Sequence, residues 1–303
     1  MHAQQPGCDI LLTNGKIIDG SGNNWYYGSV AIKDGKIFKM GTNLSVTAKK
    51  TIDASGLIIA PGFIDVHTHL EGDEASDPTA KSFILDGVTT CITGNCGSSN
   101  VDMAQYFRFI DSLHLSINVG SFIGHNDIRK EVMGRVNRAA TTAELQQMSS
   151  LVDKAMQDGA LGLSTGLIYI PGTYTKTPEI VTLAKVAAAY HGIYATHMRD
   201  EGDSVTEAIE EALTIGREAR IPVEISHFKL SGQQNWGRSK QTVAMIEAAR
   251  KEGIDVTIDQ YPYTASSTSI STLIPDEILA DGQDSIRARL TTPRIRNYVT
   301  TSM

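Results

Sequence analysis

The sequence of 303 residues lacks several features that mark particular classes of protein. Its three cysteines, Cys8, Cys91 and Cys96, follow no repeated spacing, which excludes a framework of disulfide bonds. Its apolar runs stay well short of the roughly 18 residues that cross a membrane as a helix, so we expect no membrane partner. Because the net charge is −7 and there is no basic stripe, we also expect no nucleic-acid partner.

Two more motifs are missing, one after the early strands and one at the N-terminus. No Gly-x-Gly-x-x-Gly follows an early strand pattern, which argues against a dinucleotide-binding domain. The first residues show no basic segment followed by an apolar one, as an export leader would. We therefore expect a cytoplasmic protein, or a periplasmic one if a signal peptide has been removed.

What the sequence does contain is a change of pattern near residue 62. Residues 9–61 show short strand patterns separated by pairs such as Asn14-Gly15 and Asp34-Gly35, which favour tight hairpin turns. From residue 62 to about 275, seven strand patterns alternate with helices, which indicates a parallel sheet, either open or closed into a barrel. We predict a small β domain over residues 1–61 and an α/β domain over residues 62–275.

Two of the predicted helices begin with the pattern of a capping box, a Ser or Thr followed three residues later by Glu. The pairs are Thr141 with Glu144 and Ser204 with Glu207. The apolar stripes of these helices are typical of packing against a sheet rather than of binding a cofactor.

Residues 62–69, Gly-Phe-Ile-Asp-Val-His-Thr-His, combine an apolar strand pattern with two histidines. Side chains two apart on an extended chain point the same way, so His67 and His69 leave the strand end on one face. That arrangement suits a divalent metal that takes nitrogen ligands, zinc above all. A His-x-His pair also occurs without a metal, so a metal site here requires further ligands from the rest of the chain.

Further candidate ligands follow the ends of other predicted strands, and these are Cys96, His125, His197 and His227. In a parallel barrel, such ends lie on the face where the chemistry gathers. Imidazole with thiolate is a zinc-type ligand set, and we interpret Cys96 as a ligand rather than a nucleophile. For His125 we favour a supporting or substrate-contacting role over ligation.

Five sequence motifs occur in order along the chain. After residues 62–69 come Thr93-Gly-Asn-Cys-Gly97, Ala195-Thr-His-Met-Arg-Asp-Glu201, Ser226-His-Phe-Lys229 with Asn235-Trp-Gly-Arg-Ser-Lys240, and Asp259-Gln-Tyr-Pro-Tyr263. Together they resemble the amidohydrolase superfamily, and within it the N-acyl-D-amino-acid deacylase (D-aminoacylase) branch. The resemblance runs from about residue 9 to about residue 268.

The resemblance implies a distorted (β/α)8 barrel of the metal-dependent hydrolase type, with residues 1–61 as the N-terminal part of a β-sandwich side domain. It implies a tight catalytic Zn²⁺ held by Cys96, His197 and His227. His67 and His69 would line a second, weaker site that also touches Cys96. Cys96 would take the bridging place that a carboxylated lysine occupies in many relatives.

The same resemblance assigns substrate contacts to four residues, Tyr169, Lys229, Tyr261 and Ser267. Lys229 lies two residues after His227, so it points with that ligand toward the pocket, where it can pair the free carboxylate of an N-acyl amino acid. Arg199 and Glu201, two and four residues after His197, can orient the ligands.

One motif of this branch has no counterpart in the sequence. The general base of these enzymes is an Asp in a Ser-Asp-Gly at the end of the eighth strand, whereas residues 276–303 resemble the start of an insertion before that strand. We therefore expect a C-terminally truncated deacylase, without the eighth strand, that binds zinc and hydrolyses its substrate poorly.

The sequence thus predicts a zinc-dependent amidohydrolase that cleaves small-molecule N-acyl-D-amino acids into a carboxylate and a D-amino acid. Two alternatives stay open, namely a cyclic-amide hydrolase of the hydantoinase or dihydroorotase kind and a non-catalytic metal-binding fragment. The sequence leaves the preferred amino-acid side chain, the number of metal ions and the oligomeric state unpredicted.

Overall fold

A computed structural model describes residues 7–302 of the chain. The chain divides between Phe63 and Ile64 into two compact units. Across the described range, no helix has both the length and the apolar character needed to cross a membrane.

The first unit is a five-stranded sheet. Its strands are β1 (Gly7–Ile17), β2 (Tyr26–Lys33), β3 (Lys36–Gly41), β4 (Thr47–Asp53) and β5 (Ile58–Ile59). The order is β3-β2-β1-β4, with β5 also paired to β1. The β2–β3 hairpin turns at Asp34 and Gly35, both at positive φ, because an Asp-Gly pair tolerates the backbone that a tight hairpin requires.

The strands from this division onward are β6 (Phe63–Asp65), which begins at the last residue of the first unit, β7 (Val88–Thr93), β8 (Asn118–Ser121), β9 (Ile123–Gly124), β10 (Gly162–Gly166), β11 (Ile193–His197), β12 (Val223–Ile225) and β13 (Val256–Ile258). Strands β9 to β13 form one sheet in chain order, and each neighbouring pair in it is parallel. Strands β6, β7 and β8 form a three-stranded sheet. The predicted α/β class is confirmed.

Helices alternate with these strands. They are α1 (Lys81–Leu85), α2 (Met103–Leu113), α3 (His125–Met133), α4 (Thr142–Gln157), α5 (Thr177–Ala188), α6 (Val205–Ala219) and α7 (Ser239–Lys251), followed by α8 (Asp276–Leu279), α9 (Gln283–Thr291) and α10 (Pro293–Ser302). The main core lies between sheet and helices, where Met148 of α4, Ile180 of α5 and Ile209 of α6 join Leu163 and Tyr194 of the strands, all fully buried. Each such side chain contributes about 1.5–3 kcal/mol by leaving water.

The two capping boxes are predicted at the N-termini of α4 and α6. At Thr141, Oγ1 accepts a hydrogen bond from Glu144 N, and the Glu144 carboxylate accepts one from Thr141 N, so this prediction is confirmed. The prediction at Ser204 is wrong, because its side chain makes no capping hydrogen bond within residues 7–302. The carboxylate of Asp200 accepts the backbone amides of Gly202 and Ser204 instead, which folds the preceding loop into a turn.

The parallel register sets the carboxyl ends of the strands side by side. Gly166, at the end of β10, pairs with His197, at the end of β11, and Thr196 pairs with Ile225, the last residue of β12. Side chains placed at or just after these ends therefore converge on one face of the sheet.

Candidate metal centre

A cluster of nitrogen donors surrounds the sulfur of Cys96. The Sγ atom lies 3.5 Å from Nε2 of His67, 3.7 Å from Nδ1 of His197 and 3.7 Å from Nε2 of His227. These residues are separated by 29, 101 and 131 positions from Cys96 in the sequence, so the fold and not local sequence brings them together.

Three of the donors follow strand ends in the second unit. His197 is the last residue of β11, His227 follows β12, and His67 follows β6. Because β11 and β12 are parallel and present their carboxyl ends at one edge, this placement brings His197 and His227 to the same side.

The loop that carries Cys96 has a demanding backbone. Gly94, Cys96 and Gly97 all have positive φ, and a Cβ added at Gly94 would lie 2.2 Å from the carbonyl oxygen of Phe122. Glu71 fixes the start of the loop, since its Oε1 accepts the Gly94 amide at 2.6 Å. The glycines therefore allow the turn that points the Cys96 sulfur at the histidines.

Two overlapping groups of donors can each hold a metal ion. One is Cys96, His197 and His227, the other is His67, His69 and Cys96, and within each group the donor atoms lie within 4.8 Å of one another. Zinc bonds of about 2.3 Å to sulfur and about 2.0 Å to nitrogen separate tetrahedral S and N donors by about 3.5 Å. The sulfur–nitrogen distances of this cluster fit that value.

Desolvation lowers the pKa of two of the imidazole donors. The pKa of His197 falls to about 3, so its ring is neutral at pH 7, and desolvation with the neighbouring His67 lowers the pKa of His69. Ligation requires a neutral imidazole. Nε2 of His197 is also buried and has no hydrogen-bond partner among residues 7–302.

The thiol of Cys96, in contrast, is held in its protonated form, which is not the form that binds a metal. Its burial, and then the nearby carboxylates of Asp259 and Glu201, raise the pKa of the thiol to about 12. A thiolate at this position requires a compensating cation, which is what a divalent metal supplies. The donor set thus suits a site in which the Cys96 thiol loses its proton when the metal binds.

Carboxylates contact the ring nitrogens that face away from Cys96. Glu201 Oε1 lies 2.8 Å from His227 Nδ1 and accepts a hydrogen bond from Lys229 Nζ at 2.6 Å. Asp259 Oδ2 lies 2.8 Å from His67 Nδ1. Hydrogen bonds of this kind hold the tautomer and orientation of a metal-ligating histidine.

A cavity of about 410 Å³ opens beside the cluster, with His69, Cys96 and Tyr169 among its lining residues. The Tyr169 hydroxyl lies 3.5 Å from Nδ1 of His197 and 3.0 Å from the Thr268 hydroxyl. Burial raises the pKa of Tyr169, so its hydroxyl keeps its proton at neutral pH and remains a hydrogen-bond donor. The cavity therefore lies between candidate metal ligands and the Tyr169 hydroxyl, a hydrogen-bond donor that suits a carbonyl oxygen.

The other three residues predicted as substrate contacts are Lys229, Tyr261 and Ser267. The Lys229 ammonium is ion-paired with Glu201 and lies 5.6 Å from the centre of the Tyr261 ring, which is half-buried. Ser267 is exposed on the segment beside Thr268. The Lys229 cation thus already has an anionic partner within the protein.

Two residues predicted to support the ligands face elsewhere. His125 is fully buried, and its Nε2 lies 3.0 Å from Glu179, which also binds the guanidinium of Arg129. Arg199 is bound to Glu211 and to backbone carbonyl oxygens, including that of Thr173. The structure brings neither side chain into the donor groups around Cys96, and both tie loops to neighbouring helices.

Asp259 is a residue of the cluster for which the sequence predicts no role. The signal for it is its position directly after β13, the same kind of position that holds the histidines. Its partner His67 is 192 residues away, so no local pattern joins the two.

Comparison with known proteins identifies the family. A sequence model described as the Amidohydrolase family matches residues 50–280. The chain belongs to the amidohydrolase family.

Three individual amidohydrolases show which members of the family the chain is similar to. The chain is 39% identical over 300 residues to a D-aminoacylase of Alcaligenes xylosoxydans xylosoxydans, a match that covers 91% of the chain and 61% of the relative. A solved D-aminoacylase matches with a TM-score of 0.81 and 35% identity, covering 84% of this chain and 59% of that one. The N-acyl-D-glutamate deacylase of Bordetella bronchiseptica, solved with zinc and a phosphonate inhibitor, matches with a TM-score of 0.82 and 36% identity, covering 86% of this chain and 59% of that one.

These matches confirm the resemblance to the N-acyl-D-amino-acid deacylase branch that the five motifs indicate. This amidohydrolase chain spans about three fifths of the length of the relatives that it matches.

Proposed function

We propose that the chain is a zinc-dependent deacylase that hydrolyses the amide bond of N-acyl-D-amino acids to a carboxylate and a D-amino acid. The observation that carries the proposal is the Cys96 sulfur with three imidazole nitrogens at 3.5–3.7 Å. The D configuration and the linear amide come from the names of the relatives, a D-aminoacylase and an N-acyl-D-glutamate deacylase.

The proposal includes the arrangement of the strands. Strands β6 to β13 would supply seven strands of a distorted (β/α)8 barrel, with β8 and β9, which only Phe122 separates, counted as one. The parallel sheet of β9 to β13 supports this, since such a sheet flanked by helices is the building unit of the barrel. The hydrogen bond between His67, after β6, and Asp259, after β13, supports it further because it brings the ends of the first and last of these strands within contact.

The proposed metal assignment has two parts. Cys96, His197 and His227 would hold the tight Zn²⁺, and His67 and His69 with the same sulfur would form a second, weaker site. When bound, zinc lowers the pKa of a water molecule toward about 7 and polarises a carbonyl group. That chemistry suits hydrolysis of an unactivated amide.

Residues of the chain would orient the substrate in the cavity beside the sulfur. The protonated hydroxyl of Tyr169 can donate a hydrogen bond to the amide carbonyl oxygen, since it lies within 3.5 Å of the ring nitrogen of His197. Lys229 can attract the free carboxylate of the substrate while it shares its charge with Glu201. Glu201 would then hold Lys229 beside His227 during binding.

The test is turnover of matched substrates by the zinc-loaded protein. N-acetyl-D-methionine, its L enantiomer and a cyclic hydantoin are each incubated with the protein, and the released amino acid is measured. We expect hydrolysis of the D substrate, with little of the L substrate or the hydantoin, and loss of that activity when a chelator removes the metal. Preferred hydrolysis of the hydantoin, or no release of D-methionine above the chelated sample, would contradict the proposal.

A further inference from the structure

Asp259 makes two hydrogen bonds through the two oxygens of one carboxylate. Its Oδ2 lies 2.8 Å from Nδ1 of His67, and its Oδ1 accepts the backbone amide of His227 at 2.5 Å. The side chain is largely buried, with 14% of its surface exposed. One carboxylate after β13 therefore touches two of the imidazole-bearing residues of the metal cluster, one from the end of β6 and one from the end of β12.

We propose that Asp259 is a positioning residue for the metal centre, which holds His67 in the tautomer that leaves Nε2 free and fixes the backbone of His227. The inference rests on the proposed zinc site. It goes beyond that site because Asp259 is not itself among the donors around Cys96.

The contact with Asp259 determines which ring nitrogen of His67 carries the proton. An ionised carboxylate only accepts hydrogen bonds, so the proton of a neutral His67 must lie on Nδ1, the nitrogen that faces Asp259. The lone pair then lies on Nε2, which is the atom 3.5 Å from the Cys96 sulfur. Without this partner the ring is free to place its proton on Nε2, where it would block the metal.

Asp259 also holds the backbone of His227. His227 has φ of +38°, a conformation that a residue with a side chain adopts only when its surroundings enforce it. Asp259 contacts the strand-end turn twice, since its Oδ1 accepts from the amide of His227 and its backbone oxygen accepts from the amide of Phe228. Together these contacts hold the turn that points the His227 ring toward Cys96.

Replacement of Asp259 by asparagine distinguishes a role in positioning the histidines from a role in packing. Asn has nearly the same shape, but one arm of its amide donates instead of accepting. In either orientation it must present an N–H group to the Nδ1–H of His67 or to the amide of His227. Asp259→Asn therefore loses one of the two contacts while it preserves the volume of the side chain.

The experiment measures zinc affinity by competition with a chromogenic chelator for the whole 303-residue protein. We expect Asp259→Asn and Asp259→Ala each to weaken zinc binding by about 10- to 100-fold, the usual effect of removing a partner of a metal-ligating histidine. Asp255→Asn is the matched control, because Asp255 lies exposed at the other end of the same strand. It should bind zinc like the unmodified protein.

A second readout uses Co²⁺ in place of Zn²⁺. The visible absorption of Co²⁺ reports the number and geometry of its nitrogen and sulfur ligands, so loss of the His67 contact should change the spectrum of Asp259→Asn but not that of Asp255→Asn. Asp259→Glu, which keeps the carboxylate, should retain more zinc affinity than Asp259→Asn.

The possible outcomes separate this inference from the proposed function. If the unmodified protein binds no zinc, the proposed function fails. If the unmodified protein binds zinc and Asp259→Asn binds it equally well with the same Co²⁺ spectrum, the positioning role alone is overturned. Thermal unfolding of each metal-free variant shows whether it is folded, and Asp259→Ala takes the place of Asp259→Asn in the comparison if that variant is not.

Discussion

The carboxylate of Glu201 lies 2.8 Å from Nδ1 of His227, the ring nitrogen opposite the one that faces Cys96. The same oxygen accepts a hydrogen bond from Lys229 Nζ. Burial alone would raise the pKa of Glu201, but the hydrogen bond from His227 and the nearby His197, His227 and Lys229 hold it below its ordinary value. Glu201 is therefore ionised at neutral pH, where it both orients an imidazole and compensates an ammonium group.

We predict that Glu201→Ala weakens zinc binding by about 10- to 100-fold. With the carboxylate gone, the Lys229 ammonium, 3.1 Å from His227 Nδ1, can donate to that nitrogen and favour the tautomer that carries its proton on Nε2. A proton on Nε2 blocks the atom that faces the Cys96 sulfur. Competition with a chelator measures the effect.

A double variant tests this explanation. Adding Lys229→Met to Glu201→Ala removes the competing donor, so we expect part of the lost zinc affinity to return. Glu247→Ala, an exposed glutamate on α7, is the control and should leave zinc affinity unchanged. Equal affinity of Glu201→Ala and the unmodified protein would show that the carboxylate has no role in the site.

Cys96 supplies the sulfur shared by both donor groups, so we predict that Cys96→Ala abolishes tight zinc binding. The measurement is the zinc content of the protein after exhaustive dialysis, by atomic absorption. Cys91→Ala is the matched control, because Cys91 is a fully buried cysteine in β7 that belongs to neither donor group. A Cys96→Ala protein that keeps its full zinc content would remove the basis of the ligand assignment.

The sequence predicted the parts of the site that depend on strand geometry. Strand periodicity placed His67 and His69 on one face, and the positions of His197 and His227 at strand ends predicted that they would converge. The structure places these residues as donors around Cys96. Periodicity works here because a parallel sheet aligns its carboxyl ends whatever the details of the loops.

Features that depend on long-range contacts could not be predicted in this way. Asp259 acts on a residue 192 positions away, and the left-handed turn at His227 has no local sequence signature, since it is held by that same carboxylate. The capping box expected at Ser204 failed for a related reason, because Asp200 accepts the Ser204 amide that the Glu207 side chain was expected to accept. Competition between acceptors is decided by the folded geometry and not by spacing.

We predict that zinc affinity rises with pH. Burial raises the pKa of the Cys96 thiol to about 12, whereas the pKa of His197 is held near about 3, so at neutral pH the thiol carries a proton that binding must release and His197 carries none. Release of one proton raises the apparent affinity by about tenfold per pH unit. Chelator competition between pH 6 and pH 8 measures the slope, and an affinity independent of pH would contradict Cys96 as a ligand.

Glu224 provides a prediction about stability rather than binding. It lies in β12, where Oε2 accepts a hydrogen bond from Thr257, while Oε1 is buried with no partner among residues 7–302. Burial, and then the negative charge of Asp259, raise its pKa from 4.5 to about 7. The folded protein therefore holds a proton on Glu224 across a pH range in which the unfolded chain has released it.

The sign follows from linkage. A carboxyl whose pKa is raised on folding contributes stability that is complete below pH 4.5 and is lost as the pH rises through about 7. Glutamine resembles the protonated acid at every pH, so Glu224→Gln should be more stable than the unmodified protein at pH 8, by about 2 kcal/mol or roughly 5 °C in Tm. The two proteins should differ much less at pH 5.

Thermal unfolding of the metal-free proteins at pH 5 and pH 8 makes the comparison without any contribution from bound zinc. Glu218→Gln, at an exposed position on α6, is the control for the loss of one negative charge from the protein as a whole. It should change Tm equally little at both pH values, because an exposed carboxylate loses no hydration on folding. A Glu224→Gln protein whose gain in Tm is the same at pH 5 and pH 8 would show that Glu224 is ionised in the folded state and would contradict the prediction.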